Sequence, residues 1–190
     1  MRLVSICPSN TEIACAVGLG AHLGGLDRSS DWPPEVDALP RVGPDLTVDI
    51  EMQARLDAVE TGSRALPRRA RVFLEWWPKP VITPGRQCWT TEMMAIAGGD
   101  NVFADLDVRS TPIEDDAVPP RAPDLLLTCW CGVPHDKQRP AKMTERAGWE
   151  KIPGVVTGQV FAAEECYLGR PGPRLVDGVE WLHERIAAWA

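Results

Sequence analysis

Short apolar segments alternate with segments of helical period along the whole chain. Residues 3–6, 72–74 and 124–129 are apolar runs of the kind that forms buried strands. Elsewhere mainly apolar side chains recur at steps of four and three, as in a stripe formed by Met52, Leu56, Val59, Ser63 and Leu66. Strands that alternate with helices build parallel sheets with helical crossovers, so we predict an α/β fold.

A change of pattern around Pro67 divides the chain. The amphipathic stripe that precedes this proline predicts a single helix, and the proline closes it. We therefore predict two Rossmann-like lobes, each with a parallel sheet. The N-terminal lobe is expected at residues 1–49, a linking helix at 50–69 and the C-terminal lobe at 70–190.

Local signals predict three smaller features. Ser9 and Glu12 have the spacing of a capping box at the start of the first helix. Residues 83–85, Thr-Pro-Gly, are expected to form a turn. Val102 and Phe103 are expected to form a brief strand.

Charge and hydropathy argue against two classes of partner. The chain has 20 Lys+Arg and 27 Asp+Glu, and its net charge of −7 argues against nucleic acid. No apolar run approaches the roughly 20 residues that span a bilayer. The apolar run after Arg2 is too short for a signal peptide, so we expect Met1 to begin a cytoplasmic chain. The alternative is a periplasmic or other extracytoplasmic protein whose signal has been removed.

Aromatic side chains are concentrated at the ends of predicted strands. Eight of the 12 aromatic residues are Trp. Ligands of parallel sheets bind beyond the carboxyl ends of the strands, and indole rings bury large areas at little entropic cost. We therefore predict a flat ligand surface that includes Trp32, Trp76, Trp77, Trp130 and Tyr167.

A metal-thiol site or an enzyme is the alternative interpretation. Cys129, Cys131 and His135 offer thiolate and imidazole groups that suit zinc or copper. The spacing does not match a standard zinc pair, and no fourth ligand lies nearby in the sequence. No phosphate-binding loop, dinucleotide fingerprint or nucleophile elbow is present. We therefore predict no catalytic residue and no resident metal or cofactor.

Five loop motifs occur in an order that resembles a known family. They are Pro-Ser-Asn-Thr-Glu at 8–12, Asp-Trp-Pro-Pro at 31–34, Leu-Pro-Arg-Val-Gly at 39–43, Gly-Gly-Asp-Asn-Val-Phe at 98–103 and Arg-Pro-Gly-Pro-Arg at 170–174. Together they resemble the cobalamin- and iron-siderophore-type substrate-binding proteins of ABC importers, with the cobalamin-binding branch as the most similar. The resemblance covers residues 2–51 and 70–189.

The resemblance implies a protein that binds and hands over a ligand without catalysis. It implies a corrinoid or metal chelate held between two α/β lobes that are joined by one long helix. It assigns ligand contacts to Trp32, Trp76, the loop at 130–132 and the segment from Tyr167 to Arg170. It also implies that Glu51 and Asp116, one in each lobe, meet arginines of the membrane permease.

The chain departs from this family in the first lobe. Family members carry further β-α units between the positions of Glu51 and Arg71, where this chain has about 20 residues, enough for one helix of roughly 30 Å. We therefore expect a truncated first lobe with an uncovered sheet edge, which a second copy of the chain could cover in a homodimer.

Two ligand classes fit the predicted surface. A corrin is a wide, mostly apolar disc rimmed by amides, which indole rings can contact and hydrogen-bond. Heme or an iron-siderophore could use a similar surface, and an anionic chelate would favour arginines in loops, for which the candidates are Arg28, Arg86, Arg109 and Arg170. We predict cobalamin or a related corrinoid as the bound ligand.

Overall fold

The computed structural model describes residues 2–27, 29–41 and 50–190. Contacts between residues divide the chain into two units, residues 1–49 and 50–190, and each is described by itself. Within the described residues, no helix has both the length and the apolar character needed to cross a membrane. The predicted linking helix at 50–69 begins with a helix at Ile50–Arg64, and the contacts of this helix place it in the second unit. The three-segment division stays a prediction.

The first unit is one β-α-β element. Strand β1 (Leu3–Ser5) pairs in parallel with β2 (Leu23–Leu26), and helix α1 (Pro8–Ala16) connects them. A small core packs around Leu23, Leu26 and Val36. The expected capping box is wrong: Cys7 is the N-cap residue of α1, and no side chain caps the helix.

The second unit contains a four-stranded parallel sheet. Its strands are β3 (Ala70–Glu75), β6 (Gly99–Asn101), β8 (Leu125–Thr128) and β9 (Val160–Ala162), in the order β6-β3-β8-β9. Each of the three neighbouring pairs is parallel. The predicted α/β class is therefore confirmed, whereas the strand expected at Val102 and Phe103 ends at Asn101.

A three-stranded antiparallel sheet was not predicted. Strand β5 (Val81–Pro84) lies between β4 (Trp77–Pro78) and β7 (Ser110–Ile113). The turn expected at residues 83–85 is therefore wrong, because Thr83 lies inside β5 and pairs with Thr111. Gly85 is required just after this strand, since a Cβ there would lie 2.6 Å from the carbonyl oxygen of Val108.

Helices cover both faces of the parallel sheet. Helices α2 (Ile50–Arg64), α3 (Trp89–Ala97) and α7 (Leu175–Trp189) supply one core cluster, which includes Leu74, Leu127 and Leu182. The other cluster contains Phe73, Leu126 and the fully buried Trp149. Three single-turn helices complete the unit: α4 (Ala141–Thr144), α5 (Pro153–Val156) and α6 (Glu165–Leu168).

Helix α2 is joined to α7 by an ionic network as well as by apolar packing. The guanidinium of Arg55 lies 2.7 Å from a carboxylate oxygen of Asp177 and 2.5 Å from one of Glu180. Hydrogen bonding to Arg55 lowers the pKa of both carboxyl groups, and the same contacts raise the pKa of Arg55. The network therefore stabilises the fold only where these carboxylates are ionised.

We expect Arg55→Met to flatten the pH dependence of stability. A lowered carboxyl pKa contributes stability above the ordinary values of 3.8 for Asp and 4.5 for Glu, and this stability is lost as the pH falls through the folded-state pKa. The urea midpoints of the variant and the parent protein should therefore differ at pH 7 and converge as the pH falls below about 4. Arg64→Met, which removes an exposed pair with Glu60 on the same helix, is the control. A difference for Arg55→Met that is constant with pH would contradict the network's role.

Candidate functional site at the strand ends

Two neighbouring strands of the parallel sheet end side by side. Glu75 is the last residue of β3 and Thr128 the last residue of β8, and the two are paired in register. Trp77 follows the first strand closely and Trp130 follows the second. The sheet therefore brings these two predicted ligand residues to one edge.

A cavity of about 740 Å³ opens at this edge, and we call it the strand-end cavity. Its volume lies within the range of small-molecule sites, about 300–1,000 Å³. The indoles of Trp77 and Trp130 contribute aromatic surface, with exposed fractions of 41% and 6%. The lining residues are Trp77, Pro78, Lys79, Asp115, Trp130, Lys142, Glu145 and Arg146.

A buried carboxylate lies behind the wall of the strand-end cavity. The indole Nε1 of Trp130 donates a hydrogen bond of 2.9 Å to Oε1 of Glu75, and Nη1 of Arg146 lies 2.5 Å from Oε2. Burial raises the pKa of Glu75, and the contacts with Arg146 and Trp130 oppose that rise. Glu75 was not predicted from the sequence, although a charged residue at the end of an apolar strand is a recognisable signal.

The charged groups of the cavity differ in how far they are neutralised. Arg146 is paired with Glu75 and lies 3.7 Å from Asp115. Lys79 and Lys142 are exposed, and neither forms an ion pair with another residue of the described ranges. The cavity therefore offers two ammonium groups that an anionic ligand could engage, next to two indoles and to the exposed carboxylate of Glu145.

Trp76 lies against a different part of the protein. Its indole packs against the core cluster of α2, α3 and α7 and tilts at 35° to Trp89, with ring centroids 5.4 Å apart. Successive residues of an extended chain point to opposite faces, so Trp76 does not line the strand-end cavity that Trp77 lines. Trp76 therefore does not share the strand-end cavity with Trp77 and Trp130, and its assignment as a ligand contact stays a prediction.

Tyr167 and Arg170 also lie away from the strand-end cavity. The ring of Tyr167 is half-buried against the same helical cluster, and the guanidinium of Arg174 lies 5.1 Å from its centroid. Arg170 is exposed and lies 3.5 Å from Glu165. A separate cavity of about 530 Å³ opens nearby, lined by Arg86, Gln87, Cys88, Trp89, Glu92, Arg109 and Pro171. Two of the arginines proposed for an anionic chelate therefore face this second cavity.

Trp32 belongs to the first unit. Its indole is 59% exposed and borders a cavity of about 500 Å³ together with Ile13 and Pro33. A group of buried, hydrogen-bonded polar residues precedes Trp32. In this group Asp27 accepts hydrogen bonds from the backbone N–H and the hydroxyl of Ser30. The Ser30 hydroxyl also pairs with Thr11 at 2.8 Å, which gives the motif at 8–12 a structural role. Arg28 lies outside the described residues, as do Val42 and Gly43 of the third motif.

The structure does not support a metal-thiol site. Cys129 is buried, and burial raises the pKa of its thiol to about 12. The pKa of Cys131 is also raised, mainly by burial, so both thiols are protonated in the metal-free protein. His135 approaches Glu164 at 3.9 Å. In the part of the chain that the structure describes, no group of three or more His, Cys, Asp or Glu side chains could hold a metal ion.

The two acidic residues assigned to permease docking are both exposed. Glu51 lies in the first turn of α2, and Asp116 lies in a short 3₁₀ helix, Asp115–Ala117. We expected one in each lobe. The contacts assign both to the unit of residues 50–190, because α2 packs on that unit.

Comparison with known proteins gives consistent similarities. Residues 51–166 match the model of the periplasmic binding protein family. The chain is 24% identical over 244 residues to the vitamin B12-binding protein of Vibrio cholerae serotype O1, covering 94% of this chain and 86% of that protein. It is 24% identical to an uncharacterized ABC transporter substrate-binding lipoprotein of Bacillus subtilis, covering 97% and 79%. Its fold is similar to that of a periplasmic heme-binding protein of Roseiflexus, with a TM-score of 0.61, 18% identity and coverage of 99% and 98%.

The matched length also bears on the size of the chain. The alignment with the Vibrio protein extends over 244 residues, whereas this chain has 190. That relative therefore contains segments that have no counterpart here, and their assignment to the first lobe stays a prediction.

Proposed function

The chain belongs to the periplasmic binding protein family, and from this premise we propose that it binds a corrinoid or a related metal chelate without catalysing a reaction on it. The family match confirms the resemblance that the five loop motifs predicted. The relatives are named for binding vitamin B12 or for serving ABC transporters as substrate-binding lipoproteins. We propose a non-enzymatic role because these relatives are named as binding proteins.

The strand-end cavity is the observation that carries this proposal. It lies at the carboxyl edge of a parallel sheet, where ligands of such sheets bind. Trp77 and Trp130 supply apolar area suited to a corrin ring. Because the Nε1 of Trp130 already donates to Glu75, its indole would contact a ligand through carbon atoms and not through that hydrogen bond. We separately propose Trp32 as a ligand-binding residue of the first unit, where it borders a cavity of that unit.

A heme-like chelate or an iron-siderophore is the second candidate ligand. The exposed ammonium groups of Lys79 and Lys142 favour it, because they could pair with the carboxylates or other anionic groups of such a chelate. A neutral corrinoid would leave both lysines solvated, which costs little. The contrast between an uncharged and an anionic chelate is therefore the most informative comparison of ligands.

We further propose an extracytoplasmic location and an ABC permease as partner. The Bacillus relative is named as a lipoprotein and the Roseiflexus protein as periplasmic, which favours this location over the expected cytoplasmic one. Glu51 and Asp116 are the residues proposed to meet the permease. Nothing in the comparisons supports the expected homodimer.

Titration of the purified protein with cyanocobalamin, hemin and a ferric hydroxamate tests the ligand proposal. We expect saturable quenching of Trp fluorescence at one equivalent of cyanocobalamin, with a dissociation constant in the micromolar range or below. Calorimetry and a parallel titration of N-acetyltryptophanamide control for light absorption by the ligands. Saturation by hemin or the hydroxamate alone would select the second candidate. Absence of binding by all three would refute the proposal.

A further inference from the structure

Glu75 is connected to three of the segments that line the strand-end cavity. Its own strand leads directly into Trp77 and Lys79. Its carboxylate accepts from Trp130, on the loop that follows β8, and pairs with Arg146, on the segment that follows α4. The carboxylate is fully buried, so it cannot itself contact a ligand in the cavity.

The partners of Glu75 are held by further contacts. The backbone N–H of Trp130 donates to Gln138, and the side-chain amide of Gln138 donates to the backbone of Ala163 at 2.9 Å. The guanidinium of Arg146 also lies 4.6 Å from the ring centroid of Trp149. The indole of Trp130 nevertheless has one hydrogen-bonding atom, and that atom is bonded to Glu75. The orientation of the indole plane therefore depends on this carboxylate.

We propose that Glu75 is a positioning residue, whose carboxylate fixes the indole of Trp130 in the wall of the strand-end cavity and so sets the affinity for the ligand. The effect on affinity rests on the proposed function. The effect on the orientation of the indole does not, because the hydrogen bond exists in the ligand-free protein.

Glu75→Gln isolates the positioning role. Glutamine has nearly the same shape, but it has one acceptor oxygen and an amide that only donates. One of the two donors, Trp130 or Arg146, therefore faces another donor. The near-UV circular dichroism of the ligand-free Glu75→Gln variant should change in the Trp region of the spectrum. Trp130→Phe should change the spectrum in the same region, because it removes the indole that Glu75 orients. Glu60→Gln, at an exposed position of α2, should leave the spectrum unchanged.

A double-mutant cycle on cyanocobalamin binding separates positioning from general damage. We expect Glu75→Gln to weaken binding about tenfold in the parent protein. In the Trp130→Phe background the same change should cost less than about twofold, because phenylalanine has no N–H for Glu75 to hold. If Glu75→Gln does not fold, Glu75→Gln combined with Arg146→Gln replaces it, since that pair leaves no buried charge without a partner, and Arg146→Gln alone is then the reference in each arm because Arg146 lines the cavity.

The outcomes of these measurements differ for the two proposals. An unchanged near-UV spectrum, or an equal loss of affinity in both backgrounds, would overturn the role of Glu75. If the parent protein binds no chelate, the proposed function fails, and the near-UV spectra of the ligand-free variants still decide whether Glu75 orients the indole.

Discussion

Replacing Trp149 with alanine is expected to lower the free energy of unfolding by about 3–5 kcal/mol. The side chain is fully buried, and its ring meets that of Phe73 edge to face with centroids 5.6 Å apart. Its Nε1 donates to the backbone carbonyl of Asp115 at 2.9 Å. Truncation would leave a cavity, an unpaired carbonyl and a guanidinium of Arg146 without its aromatic neighbour. Urea unfolding monitored by far-UV circular dichroism measures the loss.

Two further variants control this measurement. Trp149→Phe keeps most of the apolar volume but loses the hydrogen bond, so its cost should be clearly smaller than that of the alanine variant. Trp32→Ala removes an indole that is 59% exposed and should change stability by less than about 1 kcal/mol. A loss below about 1 kcal/mol for Trp149→Ala would show that this indole does not support the core.

Strands β3 and β8 of the parallel sheet could be predicted because their signals are local. Residues 125–127 form a continuous apolar run, β8 is buried along its whole length, and α7 keeps its apolar period from Leu175 to Trp189. The antiparallel sheet could not be predicted, because β4 has two residues and both β5 and β7 contain proline. The pairing of β5 with β7 joins segments that are distant in the chain, which a local pattern does not record.

The core role of Trp149 was missed for a related reason. The residue follows Gly148, whose φ of +85° breaks the helical pattern, and it lies in a 3₁₀ helix of three residues. No apolar period surrounds such a residue, so the sequence gives no reason to separate it from the indoles in loops. Its burial depends on Phe73, which is distant in the chain.

The candidate site could be predicted in part. The rule that ligands bind at strand ends selected Trp77 and Trp130, which line the strand-end cavity. The same rule selected Trp76, whose neighbour in space is Trp89 on a helix that the rule does not consider. Arg146 could not have been connected with Glu75 from the sequence, because 71 positions separate them.

Trp77→Ala is expected to weaken ligand binding by about 10- to 30-fold, or roughly 1.4–2 kcal/mol. The indole of Trp77 is 41% exposed and borders the strand-end cavity, so a bound chelate could bury much of its free surface. Because the rest of the side chain is buried in the ligand-free protein, its removal should also lower the free energy of unfolding, by about 1–3 kcal/mol. Isothermal titration with cyanocobalamin measures the affinity, and urea unfolding shows that the fold is intact.

Matched variants show whether the aromatic ring itself is what the ligand contacts. Val156→Ala shortens another exposed apolar side chain that does not line the strand-end cavity, and it should leave affinity unchanged. Trp77→Phe keeps a flat ring and should retain more affinity than Trp77→Leu, which has apolar volume without a π face. Equal binding by the phenylalanine and leucine variants would show that apolar area, and not ring stacking, holds the ligand. Unchanged binding by Trp77→Ala would remove the strand-end cavity as the binding site, because its most exposed aromatic surface would then make no contact.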